Sequence, residues 1–284
     1  MYSKILFATD LSEVSERIIE HLPNLLHVGL REVILVHVVN IRDTGDLAWK
    51  LQAHDQAILD NQKATLAQHG INVKVEVPIG LPSMEINEIA EKEHVSLIMV
   101  GSHGRSLVRK ILLGRTTEQI IRDARKPVFI MKLTPEDQPG CHLYCDNIFH
   151  AILYPTDFSD DAEKVLPYIK QGINGGCEKI VLLHVQEEHR IKPYLADRLE
   201  EFNQIDQDRL DRLKKELLEA GAKNVTTRIE LGKAVPTILH VAEEEDCCLI
   251  ALGARGRSLF GEIFIGSTAN NVARYAKCPV LFVT

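Results

Sequence analysis

The sequence has no long apolar run and no excess of positive charge, and each absence excludes a class of partner. No apolar stretch approaches the roughly 20 residues that a membrane-spanning helix needs. The amino-terminal MYSKILFATD lacks the long apolar core of a signal peptide. The formal net charge is −7. Because phosphate groups reward basic surfaces, we expect neither a nucleic acid nor an anionic membrane as a partner.

Cysteines are few and scattered. The 284 residues contain six cysteines, two of them adjacent at Cys247 and Cys248. Such a distribution in a chain this long is not typical of a disulfide framework, so we predict a reducing, cytoplasmic environment. Cys141, His142 and Cys145 could hold a metal together with Asp146. Closed zinc sites usually need a second ligand pair elsewhere, so a plain linker is the favoured interpretation and no metal site is predicted.

Two familiar nucleotide signatures are missing as well. No G-x-G-x-x-G follows the first apolar run, which excludes a dinucleotide fingerprint. The segment GEIFIGST (261–268) has the glycine spacing of a P-loop but no lysine, and it does not directly follow a strand. Any nucleotide site in this chain is therefore of another kind.

What the chain does contain is a repeat. KILFATDLS (4–12) recurs as AILYPTDFS (151–159), at an offset of 147 residues. SLIMVGSHGRS (96–106) recurs as CLIALGARGRS (248–258), at an offset of 152. Two copies in the same order indicate a duplicated domain. We predict domains at 1–133 and 148–284, joined by a linker at 134–147 that contains two prolines and a glycine.

Each copy alternates short apolar runs with stretches of helical period. Runs rich in Val, Ile and Leu suit parallel strands that are buried on both faces. The pattern predicts an α/β fold of two repeated doubly wound domains, with strand order 3-2-1-4-5. Helices are predicted over 12–27, 205–220 and 47–68, the last with Trp49 on an amphipathic packing face. The strands are predicted to start at Ile5, Val33, Val73, Leu97 and Val128, and at Ile152, Ile180, Val225, Leu249 and Val280.

Unusual residues follow the first and fourth strands of each copy. Asp10 and Asp157 come just after the first strand, and a glycine-rich segment follows the fourth. In that strand order the two ends face one crevice, where open α/β sheets bind ligands. Glycines and a helix N-terminus suit a phosphate, and the aspartate suits a ribose or a base edge. A simple turn and a helix N-cap explain the same residues without a ligand. His37 and His184 end the second strands and are interpreted as structural, hydrogen-bonded histidines.

These residues resemble the universal stress proteins, here as a tandem two-domain member. The resemblance rests on ILYPTDFS, IVLLHV and a motif of Gly, two residues, Gly, nine residues, then Gly-Ser or Gly-Thr. It implies five-stranded parallel sheets that bind an adenine nucleotide, ATP or AMP, with or without Mg²⁺. Arg115 departs from the motif, either to pair with a phosphate or to fill the pocket. The implied binding residues are Asp157, Val185, Gly253, Gly256, Gly266, Ser267 and Thr268 in the second copy, and Asp10, Val38, Gly101, Gly104, Gly114, Arg115 and Thr116 in the first.

We expect a nucleotide-binding module that acts in a stress response. The alternatives are a slow ATP hydrolase and a structural pseudo-dimer without a ligand. Each crevice offers one obvious aspartate and no clear general base, so an enzyme is the less favoured interpretation. Uncovered apolar edge strands invite pairing. PVFIMK (127–132) and PVLFVT (279–284) are therefore expected to pair, forming an internal pseudo-dimer, and a homodimer is also compatible with the sequence.

Overall fold

The structure is a computed structural model that describes residues 1–102, 113–135, 141–143, 145–187, 199–254 and 265–284. The chain divides into two compact units, one formed mainly by residues 1–143 and the other mainly by residues 144–283. We call them the first half and the second half and describe each by itself.

The first half contains a five-stranded parallel sheet and a two-stranded parallel ladder. In chain order its strands are β1 (Lys4–Ala8), β2 (Glu32–Val36), β3 (Val39–Asn40), β4 (Asn72–Glu76), β5 (Ile79–Gly80), β6 (Leu97–Gly101) and β7 (Val128–Met131). The five-stranded sheet runs β4-β2-β1-β6-β7, which is the predicted order 3-2-1-4-5. Its helices are α1 (Glu13–His21), α2 (Ile41–Thr44), α3 (Ala48–Ala67), α4 (Pro82–Lys92) and α5 (Arg115–Asp123).

A short antiparallel pair follows within the stretch interpreted as a linker. It joins β8 (Leu133–Pro135) to β9 (Cys141–Leu143), with Leu133 opposite Leu143. Sequence reasoning did not predict these two strands, because three-residue segments carry too little pattern to stand out from a loop.

The second half repeats the architecture. Its strands are β10 (Ala151–Pro155), β11 (Lys179–Glu187), β12 (Val225–Gly232), β13 (Leu249–Gly253) and β14 (Val280–Val283). They run β12-β11-β10-β13-β14, all parallel, so the order 3-2-1-4-5 is confirmed here too. Its helices are α6 (Asp160–Glu163), α7 (Leu166–Asn174), α8 (Leu199–Glu219), α9 (Ala234–Glu244) and α10 (Ser267–Tyr275).

Burial explains why the strands read as continuous apolar runs. Val33, Ile34, Leu35 and Val36 are consecutive residues of β2, and all four are fully buried. A strand covered on both faces places every side chain in the core, which requires helices on each face of the sheet. Among the described residues, no helix is long and apolar enough to cross a membrane.

One disulfide was not predicted from the sequence, and the expectation for Trp49 is wrong. Cys145 and Cys248 form a disulfide although they lie 103 residues apart, because they lie beside β10 and β13, which are neighbours in the sheet. Trp49 does not pack into the core, since 64% of its surface is exposed. The helix around it exists as α3, but Leu59 and Leu66 provide its buried apolar face.

Candidate functional site

The strand register places two predicted site residues of the first half, Asp10 and Val38, in one row with Ser102 at the carboxyl edge of the sheet. Ala8 lies opposite Val36 of β2 and Val100 of β6. Two residues further along each chain segment come Val38, Asp10 and Ser102. Neighbouring strands lie about 4.8 Å apart, so the row is about 10 Å wide. We call these three residues the edge row of the first half.

The second half has the same row. Pro155 lies opposite Leu183, and Leu153 lies opposite Ile250. Asp157 and Val185 come two residues beyond the first pair, and Asp157 and Ala254 come four residues beyond the second, so the three residues lie side by side. The topology therefore brings together, in each half, the aspartate, the valine and the start of the glycine segment that the sequence singled out. This edge is where the strand order reverses, the usual ligand position in open α/β sheets.

Each aspartate organises a strained turn. Oδ1 of Asp10 accepts hydrogen bonds from the Ser12 N–H at 3.1 Å, the Ser12 hydroxyl at 2.6 Å and the Ser15 hydroxyl at 2.8 Å. Leu11, between them, has a φ of +60°. A non-glycine residue with positive φ costs about 1–3 kcal/mol, and such residues cluster at functional sites. The aspartate therefore has a structural role that sequence reasoning missed.

The turn recurs in the second half with one change. Oδ1 of Asp157 accepts from the Ser159 N–H at 3.1 Å and from its hydroxyl at 2.6 Å. Phe158 has a φ of +59°, almost the value of its counterpart Leu11. Ala162 occupies the position of Ser15, so this donor is absent from the second half.

The backbone of Val38 faces the space beyond β1. In a parallel strand, successive residues turn their N–H and C=O groups alternately toward the two neighbours. Val36 turns toward β1, since its carbonyl accepts from the Thr9 N–H at 2.9 Å. His37 turns toward β4, since its N–H donates to the Glu76 carbonyl at 3.1 Å. The groups of Val38 therefore turn back toward β1, which has already ended at Ala8.

The same alternation holds for Val185. The Leu183 carbonyl accepts from the Thr156 N–H at 2.8 Å, so Leu183 turns toward β10. Val185, two residues on, turns the same way and meets the end of β10 beside Asp157. The backbone N–H and C=O of this valine can thus pair with the edge of a planar base. The resemblance to the universal stress proteins implies such pairing for Val38 and Val185.

A backbone hydrogen bond closes the base of each glycine segment. The Gly114 N–H donates to the Ser102 carbonyl at 2.9 Å, and the Gly266 N–H donates to the Ala254 carbonyl at 2.8 Å. The end of the fourth strand and the start of α5 or α10 are therefore joined directly. Gly104 and Gly256, the second glycines of the motif, lie outside the described residues.

The helices at this edge differ in how they begin. Ser12 caps α1 and Ser159 caps α6, each accepting a backbone N–H of the first turn. Gly114 and Gly266 occupy the N-cap positions of α5 and α10, and no side-chain cap bond is made there. The N-cap residues of these two helices therefore leave the first-turn N–H groups and the positive dipole end uncapped, as far as the described residues show.

The glycines have two distinct physical roles. Gly114 has φ −60° and ψ 143°, which any residue adopts, and an added Cβ would meet only ordinary contacts at 3.6 and 3.7 Å. None of the described residues requires glycine there, whereas a ligand close to the backbone would. At Gly253 an added Cβ would lie 2.8 Å from the Asp161 carbonyl oxygen. That glycine is required by its close approach to α6.

Both histidines join two walls of the crevice, as expected for structural residues. His37 Nδ1 lies 2.9 Å from the Thr9 carbonyl oxygen, and its Nε2 lies 3.4 Å from Asp55 Oδ2. His184 makes the same contacts with Thr156, at 2.8 Å, and Asp206, at 3.4 Å. Sequence reasoning missed both aspartates, although each stands at a matching position in the helix that follows the second strand.

The remaining predicted residues begin the two helices. Arg115, Thr116 and Ser267 are exposed and Thr268 is half-buried. Arg115 is exposed, and both roles considered for it, pairing with a phosphate and filling the pocket, stay predictions. In the second half, burial raises the pKa of Tyr154, whose hydroxyl donates to the Ala162 carbonyl at 2.7 Å and ties β10 to α6.

The structure also bears on the metal question. Cys145, one of the cysteines near His142, is bonded to Cys248 and offers no thiolate. In the parts of the chain that the structure describes, no group of three or more His, Cys, Asp or Glu side chains could hold a metal ion.

The fold defines a class, tandem doubly wound α/β domains, and the candidate site lies at the carboxyl edge of each sheet. The chain belongs to the universal stress protein family, whose model matches residues 1–132 and 149–284. The crystal structure of a universal stress protein from Archaeoglobus fulgidus DSM 4304 is similar over 100% of this chain and 99% of that chain, with 27% identity and a TM-score of 0.76.

Similarity extends to single-domain relatives. Universal stress protein MJ0577 of Methanocaldococcus jannaschii is 34% identical over 155 residues, which is 46% of this chain and 96% of that protein. A structure of a universal stress protein in complex with cAMP matches 48% of this chain and 96% of its own, with 21% identity and a TM-score of 0.38. The bound cAMP belongs to that structure and is reported for that protein alone.

Proposed function

We propose that each half of this universal stress protein binds an adenine nucleotide in the crevice at its edge row, and that the second half binds it more tightly. The base edge pairs with the backbone of Val38 or Val185, and Asp10 or Asp157 holds the ribose. The phosphates lie at the uncapped start of α5 or α10. The nucleotide is ATP or AMP, with or without Mg²⁺, and the protein acts as a sensor or binding module in a stress response.

The observation that carries this proposal is the start of α10. Gly266 leaves its first-turn N–H groups uncapped, and the bond from Gly266 to Ala254 holds them beside the edge row. Anions bind at such helix starts because the N–H groups point at the ligand and the helix dipole favours negative charge. Ser267 and Thr268 add hydroxyl donors, whereas the first half has Arg115 in place of the first hydroxyl.

A binding role is favoured over an enzyme by the scarcity of catalytic groups. Phosphoryl transfer needs a metal-holding carboxylate, a positioned nucleophile and compensating cations. The carboxylate of the edge row is already held in a turn by serine donors. A slow ATP hydrolase is the alternative function, and a structural protein without a ligand is a further one.

The first experiment is calorimetry with ATP and AMP on the wild type and on Gly266→Val. At φ −58° and ψ 145°, valine fits the backbone, so the variant is expected to fold. Its branched side chain would cover the N–H groups that hold the phosphates. Losing phosphate hydrogen bonds of about 1.5–3 kcal/mol each weakens the tighter site by tenfold or more.

Gly114→Val is the matched control, because Gly114 has φ −60° and ψ 143° in the first half. It should weaken only the looser site, and the double variant should bind no nucleotide. A tighter site that survives Gly266→Val would contradict the assignment. If the wild type binds neither nucleotide, the structural alternative holds.

Turnover separates the binding module from the hydrolase. With saturating ATP and Mg²⁺ we expect a rate well below the usual 1–10³ s⁻¹ of dedicated enzymes. A rate within that range that is lost in Asp157→Ala would establish an enzyme instead. The cytoplasmic location, the domain limits at 1–133 and 148–284, and the pairing of 127–132 with 279–284 stay predictions from the sequence.

A further inference from the structure

The disulfide lies at the amino ends of two strands whose carboxyl ends form the crevice of the second half. Cys145 precedes β10 by six residues, and Cys248 stands directly before β13. The Cys248 N–H also donates to the Ala151 carbonyl at 2.7 Å, so a hydrogen bond and a covalent bond tie the same two strands. These strands lead to Asp157 and Gly253.

In the first half, the amino ends of the matching strands β1 and β6 are joined by hydrogen bonds and not by a disulfide. Ser96 matches Cys248, and its N–H donates to the Lys4 carbonyl at 2.7 Å. The Ser96 hydroxyl donates to that carbonyl, also at 2.7 Å, and accepts from the Lys4 N–H at 3.1 Å. Hydrogen bonds do not respond to a thiol reductant, so of these two ties only the one in the second half is sensitive to redox conditions.

The strand pair that the disulfide holds has the shorter ladder of the two. β1 and β6 are in register from Ile5 opposite Leu97 to Ala8 opposite Val100. β10 and β13 are in register only at Ile152 opposite Leu249 and at Leu153 opposite Ile250.

Pro155 explains the shorter ladder. It occupies the position of Ala8 and has no N–H to donate. Thr156, the next residue, donates toward β11, so by alternation the group missing at Pro155 is one that would face β13. This pair therefore depends more on its amino-end tie than its counterpart does.

Of the two bonded cysteines, Cys145 is the more accessible to a small thiol. Cys145 is half-buried, whereas Cys248 is 2% exposed. Two other cysteines stay protonated at neutral pH, because burial raises the pKa of Cys177 to about 11 and that of Cys247 to about 12. A thiol rather than a thiolate is a poor nucleophile, so neither competes for the bond.

We propose that Cys145 and Cys248 form a reversible thiol–disulfide site that adjusts the stability of the second half to the surrounding thiol pool. A small thiolate attacks the Sγ of Cys145, the bond between the two cysteines breaks, and Cys248 leaves and takes a proton. A second small thiol then releases Cys145. Two electrons pass from two small thiols to the protein, leaving one small disulfide, and oxidation by that disulfide reverses each step. The inference does not depend on nucleotide binding.

The test uses the full chain equilibrated in buffers of oxidised and reduced glutathione. Under oxidising conditions, peptide mapping should find Cys145 joined to Cys248, and the denatured protein should titrate with two fewer thiols than after reduction. Closing a loop of about 100 residues restricts the unfolded chain, so reduction should raise the unfolding equilibrium constant of the second half about a thousandfold. Hydrogen exchange of the β13 amides measures this change.

Two variants give the comparison. Cys145→Ser should exchange like the reduced wild type under all conditions, and Cys177→Ser, a buried cysteine outside the bond, should respond to reduction like the wild type. The proposal is overturned if mapping finds a different partner or no bond for Cys145. It is also overturned if the bond resists reduction until the protein unfolds, or if reduction leaves the exchange of β13 unchanged.

Discussion

The two halves build the same edge row but surround it with different side chains. Both have an aspartate whose Oδ1 accepts from a serine two residues on, followed by a residue with φ near +60°. Ser15 adds a donor to Asp10, and alanine replaces it in the second half. The backbone geometry is thus repeated more faithfully than the side chains around it.

The matched histidines, His37 and His184, also differ in the side chains that surround them and their aspartate partners. In the second half, Gln186 donates to Asp206 at 2.9 Å, Arg209 lies 3.6 Å from the same carboxylate, and the Phe158 ring lies 4.6 Å from the ring of His184. The first half has Val39 in place of Gln186, Ile58 in place of Arg209 and Leu11 in place of Phe158. What the halves share is the backbone geometry of the edge row, and what differs is the polarity of the side chains around it. We therefore expect different ligand preferences at the two sites.

Among the three substitutions that test this comparison, Gly253→Ala should have the largest effect, a loss of stability of the second half. The added Cβ would lie 2.8 Å from the Asp161 carbonyl oxygen, so α6 must shift. Overpacking of this kind costs about 1–3 kcal/mol, which denaturant unfolding of the second half would measure. Gly114→Ala is the control, since its Cβ has space among the described residues and alanine in place of an N-cap glycine should cost less, up to about 1 kcal/mol. Equal losses in the two variants would refute this distinction between the glycines.

Arg115→Ser tests the site of the first half and is best made in the Gly266→Val background. An exposed guanidinium at the start of a helix opposes the helix dipole but can bind a phosphate. Because the variant supplies the hydroxyl that Ser267 has in the second half, we expect ATP to bind the first half about tenfold more tightly, a gain of about 1.4 kcal/mol, by calorimetry. Without nucleotide the same variant should be slightly more stable. Unchanged ATP affinity would leave Arg115 without a role in binding.

The smallest effect concerns a surface ion pair of the second half and its pH dependence. Lys179 lies 2.6 Å from Glu245, and its hydrogen bond, followed by that of Arg228, lowers the pKa of this carboxyl. The stabilisation is complete above the unfolded pKa of about 4.3 and is lost as the pH falls through the folded value. Glu245→Gln should cost about 0.5–1 kcal/mol at pH 7 in urea unfolding. The gap between the variant and the wild type should close in acid, and a gap that persists there would show another cause.

Much of the fold could be predicted before the tertiary structure was known. The repeat, the strands and their order follow from runs of Val, Ile and Leu separated by helical segments, because local burial patterns encode elements and right-handed crossovers restrict their arrangement. That Asp10 and the glycine segment share one edge of the sheet follows from the strand order alone. Gly104 and Gly256 lie outside the described residues, so their part in the predicted site stays a prediction.

The tertiary structure decided what depends on distances through space. Cys145 and Cys248 meet only because strands far apart in the sequence lie side by side. Gly253 is required by the nearness of α6, and Trp49 is exposed although its sequence resembles a packing face. Periodicity shows which residues share a face of an element, but it does not show what lies opposite that face. Packing alone determines those partners.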